Sequence, residues 1–97
     1  MKLTLSKEKK MKLNGSFILR EVVGEYVLIP TGETALQFNG IISLNPVGAA
    51  IWKGLTEGRD RDALLNAILE EFEVSREEAA ADLDEFLELL RSKNMLE

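Results

Sequence analysis

The most numerous side chains of this chain that could take part in catalysis are carboxylates. Its 97 residues include 17 Asp and Glu but no Cys and no His, so a thiolate nucleophile, the usual general base and the commonest metal ligand are missing. Acidic pairs such as Asp82 with Glu85 are typical of a solvated helix surface, since no nucleophile or anion-stabilising group accompanies them. A metal site built from Asp82, Asp84 and Glu85 is disfavoured, because neighbours one or two positions apart on a helix point away from each other. We therefore expect no enzyme activity, no cofactor and no metal.

The charge of the chain is unevenly distributed. Residues 1–12 hold five Lys against one Glu, a net charge of +4, and since the whole chain carries −5, residues 13–97 carry −9. We interpret residues 1–15 as a basic, mobile arm and residues 16–97 as one domain. The acidic body argues against nucleic acid as a partner, because its phosphates would be repelled. No apolar run approaches the roughly 20 residues of a membrane span, and no apolar signal segment follows the N-terminal lysines, so we expect a cytoplasmic protein with no membrane partner.

The first half of the domain has the pattern of a small antiparallel sheet. Residues 17–23 and 26–29 are rich in β-branched and aromatic side chains, which favour strands. Between them, Gly24 and Glu25 predict a type II′ hairpin turn with Gly at its first position. A third strand is predicted at residues 41–44. Residues 34–39 are compatible with a helical turn or a short strand, and the pattern leaves this choice open.

A helix is predicted directly after the third strand, over residues 46–55. Asn45 suits its N-cap, and Pro46 suits the first helical position, where the missing N–H costs nothing. Gly48 and the alanines beside it leave a face with little side-chain volume, so another element can approach closely. We interpret Trp52 as a core anchor; a surface aromatic that contacts a partner enzyme is the alternative.

Two further helices are predicted in the C-terminal half. The first begins at the cap Asp60 and ends near Phe72, with apolar residues at the three- and four-residue spacing of one helix face. The second begins with a capping box formed by Ser75 and Glu78 and ends before Asn94, after which two apolar residues return to the core. The buried face of this last helix is predicted to consist of Ala79, Leu83, Phe86, Leu87 and Leu90.

Several residues within these elements form a characteristic series along the chain. They are Leu44-Asn45-Pro46, Gly48-Ala49, Ile51-Trp52, Gly58, Asp82, Phe86-Leu87 and Leu90. In this order and spacing, and with this order of elements, the chain resembles the PqqD family of small peptide-binding proteins, the leader-recognition domains of peptide-modifying systems. The resemblance covers roughly residues 16–96 and implies an α+β, winged-helix-like domain in which a three-stranded antiparallel sheet is followed by three helices. Where such proteins usually have Gly this chain has Asn94, which also tolerates the left-handed conformation.

This resemblance also implies a function and a binding mode. Such proteins are adaptors, or peptide chaperones, that capture the leader of a ribosomally made precursor peptide and present it to a modifying enzyme, often a radical SAM enzyme. The leader adds as a further strand beside the third strand and lies against the third helix. An exposed strand edge can accept an extended peptide in this way. Our candidate peptide-binding residues are Ile41, Ile42 and Ser43 on the strand, and Asp82, Glu85 and Leu89 on the helix.

Purely structural roles and other functions compete with this interpretation. Ile42 and Leu89 could belong to the core, and the carboxylates could simply face water. The main alternative is a structural or regulatory winged-helix module that controls a partner protein, with a homodimer formed through the strand edge. DNA binding by the third predicted helix is rejected, because between residues 75 and 91 it carries six acidic residues against Arg76 and Arg91, a face that phosphates would repel.

Overall fold

The computed structural model describes residues 11–38 and 40–97 of the chain. Their elements follow the predicted order, with one short helix added between the second and third strands. The bounds are β1 Phe17–Val22, β2 Glu25–Pro30, α1 Glu33–Gln37, β3 Ile42–Leu44, α2 Pro46–Thr56, α3 Arg61–Glu71 and α4 Arg76–Ser92. The three strands form an antiparallel sheet in the order β1-β2-β3, which confirms the predicted α+β class.

The hairpin turn between β1 and β2 lies one residue earlier than predicted. Val22 pairs with Glu25, and the two loop residues Val23 and Gly24 have φ angles of 50° and 80°. Two positive φ angles identify a type I′ turn, so the predicted type II′ turn at Gly24-Glu25 is wrong. That turn would have placed Glu21 opposite Leu28, which is fully buried, whereas the observed register places an apolar residue, Leu19, there.

The segment that the sequence left open forms the short helix α1. Gly32 precedes it with a φ angle of 58°, and the N–H of Phe38 donates to the carbonyl of Thr34 at its end. The Thr34 hydroxyl in turn accepts the N–H of Ser16 at 2.8 Å. The helical turn thus connects the end of β2 to the start of β1.

Side-chain caps begin each of the three longer helices at the predicted residues. Of the capping box predicted for α4, the described residues form the bond to Ser75 but not the return bond from the Ser75 N–H to Glu78. Backbone N–H groups donate to Asn45 Oδ1 at 2.7 Å in α2, to Asp60 Oδ1 at 2.9 Å in α3 and to Ser75 Oγ at 3.0 Å in α4. After α4, Asn94 adopts a φ angle of 64°, and the N–H of Met95 donates to the carbonyl of Leu90 at 2.8 Å. This closure directs the buried Met95 and Leu96 back to the core, as predicted.

A single core lies between the inner face of the sheet and the three longer helices. Trp52 is buried in it, and its ring meets Phe17 edge-to-face with centroids 5.8 Å apart, so the core interpretation of Trp52 is confirmed. The largest fully buried side chains are Leu28, Ile51, Leu64, Ile68, Leu83, Leu90 and Met95.

The two ends of the described chain meet. Leu13 forms a bridge with Leu96, and the N–H of Asn14 donates to the carbonyl of Met95 at 2.9 Å. Met11 and Leu13, which lie in the segment assigned to the basic arm, pack against the core, whereas residues 1–10 of that arm lie outside the described residues. Among the helices that the structure describes, none is long and apolar enough to cross a bilayer.

Candidate functional site

The outer side of β3 is an open edge of the sheet. Among the described residues, β3 pairs only with β2, through the register Tyr26 with Leu44, Val27 with Ser43 and Leu28 with Ile42. In an antiparallel ladder, successive residues of a strand direct their N–H and C=O groups to opposite sides. Which residues of β3 face outwards therefore follows from the alternation along β2.

The hairpin fixes that alternation. Because the loop has two residues, its flanking residues Val22 and Glu25 form a hydrogen-bonded pair. At the other end of the hairpin the Thr31 N–H donates to the Ser16 carbonyl at 3.0 Å. Both pairs fit the same alternation of hydrogen-bonded and non-hydrogen-bonded pairs along the ladder. Residues 25, 27 and 29 thus bond to β1, and residues 26 and 28 bond to β3. On β3 their partners are Leu44 and Ile42, whose backbone groups therefore point towards β2. The backbone N–H and C=O of Ser43, between them, point to the open side.

A cavity lies where this edge meets α2 and α4. Its volume is about 270 Å³. We call it the α2–α4 groove, and it begins at Asn45, directly after β3. The groove is lined by Asn45, Val47, Gly48 and Ile51 from α2 and its cap, and by Asp82, Glu85, Phe86 and Leu89 from α4.

Gly48 borders the groove and is buried where α2 lies against α4 and the end of β3. A Cβ atom on Gly48 would lie 3.3 Å from Phe86 Cε1 and 3.5 Å from Leu44 Cβ. The missing side chain therefore lets α4 approach both α2 and the end of β3. This close approach confirms the expectation that the small residues of α2 form a contact face.

The charged residues of α4 occupy different sides of the helix. Asp84 faces α3, where it accepts two hydrogen bonds from the Arg61 guanidinium, both at 2.8 Å. These bonds lower the pKa of Asp84 and raise the pKa of Arg61. Asp82 and Glu85 line the groove, and neither belongs to an ion pair within the described part of the chain. The groove therefore has two exposed carboxylates above an apolar floor.

The structure brings together three of the six sequence-predicted site residues. Asp82, Glu85 and Leu89 line the same groove. Ile41 and Ser43 are exposed at the β3 edge, outside the groove lining, and the side chain of Ile42 is half-buried against the core. Ile42 therefore offers neither an open backbone group nor an exposed side chain to a peptide.

Sequence reasoning missed the α2 side of the groove. Val47, Gly48 and Ile51 come from the helix after β3, and Phe86, predicted as core, is half-buried and lines the groove as well. The small volume of Gly48 was the available signal, since it predicted a close approach. It did not reveal that α4 is the helix that approaches.

A second cavity, of about 350 Å³, lies just beyond the C-terminal end of α4. Polar and apolar residues line it together, and Lys93 is the one charged residue among them. The lining residues are Asn14, Gly15, Phe17, Thr34, Gln37, Phe38, Lys93, Asn94 and Met95. It borders the start of β1 and does not include any residue of β3 or α2. In residues 11–38 and 40–97, no cluster of three or more acidic side chains has the arrangement of a metal site.

Comparisons with known proteins place this chain in a family. A solved structure of TbiB1 in complex with the TbiA(beta) leader peptide is 29% identical, with a TM-score of 0.68 over 89% of this chain and 94% of that chain. A lasso peptide synthetase B1 complexed with the leader peptide shares the fold at 19% identity, with a TM-score of 0.69 over 91% and 98% of the two chains. No curated protein matches the chain. The model of the family described as coenzyme PQQ synthesis protein D matches residues 25–96, most of the chain, and the chain therefore belongs to the PqqD family.

Proposed function

We propose that this protein is a peptide-binding adaptor that captures the leader of a ribosomally made precursor peptide. One observation carries the proposal: in a PqqD-family chain similar to a leader-bound protein, the open edge of β3 runs into an apolar groove beside α4. An open strand edge gives affinity for an extended peptide through backbone hydrogen bonds, and an adjoining groove gives specificity through side chains. The role requires no catalysis by this chain.

In the proposed complex, the leader pairs with the outer side of β3 as a fourth strand. Ser43 provides the central N–H and C=O, and the exposed Ile41 extends the edge at its start. One side chain of the leader then enters the α2–α4 groove between Gly48 and Leu89. The bound leader is presented to a modifying enzyme, with a radical SAM enzyme as one candidate, in the cytoplasm where precursors are synthesised.

The proposal is tested by titrating the full chain with synthetic leaders of precursor peptides encoded beside its gene. A disordered leader loses conformational freedom on binding, so we expect a Kd between about 0.1 and 10 µM. Amide chemical shifts should change at residues 40–45 and on the groove side of residues 78–93. Binding whose shift changes cluster on β1 and the hairpin turn would contradict the β3 site, and the absence of binding by every leader would contradict the function.

Two substitutions test the binding mode itself. Ser43→Pro removes an outward N–H without removing a bond to β2, and we expect at least tenfold weaker leader binding, whereas Ser43→Ala keeps that N–H and should bind normally. Leu89→Asp adds a charge to the groove and should weaken binding by about 1–3 kcal/mol. Ala81→Asp adds the same charge at an exposed position of α4 outside the groove and serves as its control. Cooperative unfolding transitions must first establish that all four variants are folded.

A self-associating regulatory module is the second candidate function, and one observation favours it. β1 forms the other edge of the sheet, and Ile18 and Val22 are exposed along it. Two copies could pair through these edges. Sedimentation equilibrium of wild type and Ile18→Lys distinguishes the two functions, because a dimer that the substitution dissociates would favour the module, while a monomer throughout would leave only the adaptor.

A further inference from the structure

We infer that the α2–α4 groove selects a leader side chain with an apolar stem and a cationic head, namely Lys or Arg. This inference rests on the proposed function, and it identifies the chemistry that the groove recognises. Two features carry it: the apolar floor of the groove and the pair of carboxylates on its α4 side.

The floor fits one long side chain. The cavity volume of about 270 Å³ lies just below the range of small-molecule sites, roughly 300–1,000 Å³. Val47, Phe86 and Leu89 supply its accessible apolar surface, whereas Ile51, which also borders the cavity, is almost fully buried. Gly48 adds no side chain to this space, and Phe86 Cε1 and Asn45 Oδ1 lie 3.3 Å from the position of its missing Cβ atom. Lys and Arg bury their methylene stems against such a surface while the charged head stays near water.

The carboxylates lie where that head would be. Asp82 and Glu85 are three positions apart and therefore share a side of α4, and both border the same cavity as Leu89. Within the described residues, the nearby acid Asp84 is neutralised by Arg61, whereas Asp82 and Glu85 have no ion-pair partner. A purely apolar ligand would partly remove water from these two carboxylates without compensation. An acidic ligand side chain would be repelled by them, so charge complementarity selects a cation.

The test is a reciprocal charge exchange between protein and peptide. The probe is the synthetic leader of the neighbouring precursor gene that binds the full chain, with each Lys and Arg changed in turn to norleucine and to Glu. At one position, norleucine, which keeps the stem, should weaken binding by about threefold to tenfold, and Glu by more than tenfold. Glu85→Lys should reverse this order and prefer the Glu peptide. Glu88→Lys makes the same charge change on the same helix outside the groove. This variant should keep the wild-type preference for the Lys or Arg peptide.

Each outcome separates the inference from the function on which it rests. The inference is wrong, and the adaptor function stands, if the leader binds at the β3 edge but replacing its Lys and Arg residues does not change its affinity. The same holds if Glu85→Lys does not come to prefer the Glu peptide over the Lys or Arg peptide. If the leader's charge has no effect while changing Lys2, Lys7, Lys9 and Lys10 to Ala tightens binding, the occupant is the chain's own basic arm and the inference is also wrong. If no leader binds the wild type, the proposed function fails first.

Discussion

Two glycines of α2 lie in different surroundings: Gly48 borders the groove, and Gly54 packs against the core. A Cβ atom on Gly54 would collide with Leu64 Cδ2, and Leu64 is buried in the core. A Cβ atom on Gly48 would meet the ring of Phe86 at 3.3 Å, and that ring is half-buried at the edge of the groove. Phe86 can move towards the open groove, whereas Leu64 is enclosed by packed side chains.

Gly48→Ala should therefore affect binding more than stability. The added Cβ atom would lie 3.3 Å from both the Phe86 ring and the cap oxygen Asn45 Oδ1. Alanine favours the helix by about 1 kcal/mol over glycine, which offsets this crowding, so we expect a free energy of unfolding within about 1 kcal/mol of the wild type. The displaced ring narrows the groove, and leader affinity should fall several-fold. Urea unfolding followed by the fluorescence of Trp52, the only tryptophan of the chain, measures the first quantity, and a leader titration measures the second.

Gly54→Ala is the matched control, because the same substitution on the same helix meets the core instead of the groove. It should lower the free energy of unfolding by about 1–3 kcal/mol through overpacking, while the folded protein binds the leader normally. If Gly48→Ala kept full leader affinity, the side chain of the leader would not enter the groove at that point.

Between elements, the pair Arg61 and Asp84 joins the start of α3 to the middle of α4. Its two hydrogen bonds lower the pKa of Asp84 in the folded protein. A lowered carboxyl pKa stabilises the fold above the unfolded value, about 3.9, and this contribution is lost as the pH falls through the folded pKa. The raised pKa of Arg61 reflects the same interaction, so it adds no separate contribution, and arginine stays protonated throughout this range.

Asp84→Asn should consequently destabilise the protein at pH 7 and not at low pH. Because the two side chains are 42% and 58% exposed, solvent screening limits the expected loss to at most about 1 kcal/mol at pH 7. The difference from the wild type should shrink below about pH 4. Urea unfolding at pH 7 and pH 3 measures it, with Glu88→Gln as a control; an equal loss at both pH values would show that the amide disturbs packing instead.

Features determined by residues close together in the sequence were predicted correctly, whereas a feature that depends on tertiary contacts was not. The caps Asn45, Asp60 and Ser75 bond to N–H groups three residues away, so the sequence placed three helix starts correctly. The hairpin turn was misplaced because its register depends on Leu19, and not Glu21, lying opposite the buried Leu28. That preference arises from the core and not from the turn residues.

In the candidate site, too, the part that follows from local sequence was predicted and the part that depends on tertiary contacts was not. The stripe of Asp82, Glu85 and Leu89 follows from helix periodicity, and all three line the groove. Its other wall depends on α2 meeting α4 across Gly48, a contact between residues 38 positions apart in the sequence. Helix periodicity contains no information about such a contact, because several packings of three amphipathic helices bury the same stripes.

Across the whole molecule, the distribution of charge limits the class of partner. Residues 13–97 carry a net charge of −9, and α4, the longest helix, has six acidic residues against Arg76 and Arg91. A winged-helix domain that placed such a helix in the major groove of DNA would bring carboxylates against phosphates instead of releasing counterions. The same charges favour a basic peptide segment, which agrees with the inference drawn for the groove.

The protein should therefore not bind duplex DNA at about 100 mM salt, where electrostatic contacts dominate non-specific affinity. Fluorescence anisotropy of a labelled 20-base-pair duplex measures this directly, and a Kd above about 100 µM is the expected result. The basic arm is the one segment whose charge could give a signal, so the control changes Lys2, Lys7, Lys9 and Lys10 to Ala in the full chain. Salt-sensitive binding that disappears in this variant would belong to the arm. Binding that persists would mean that the acidic body contacts DNA, and the exclusion of nucleic acid, together with the electrostatic argument for a cationic leader side chain, would be contradicted.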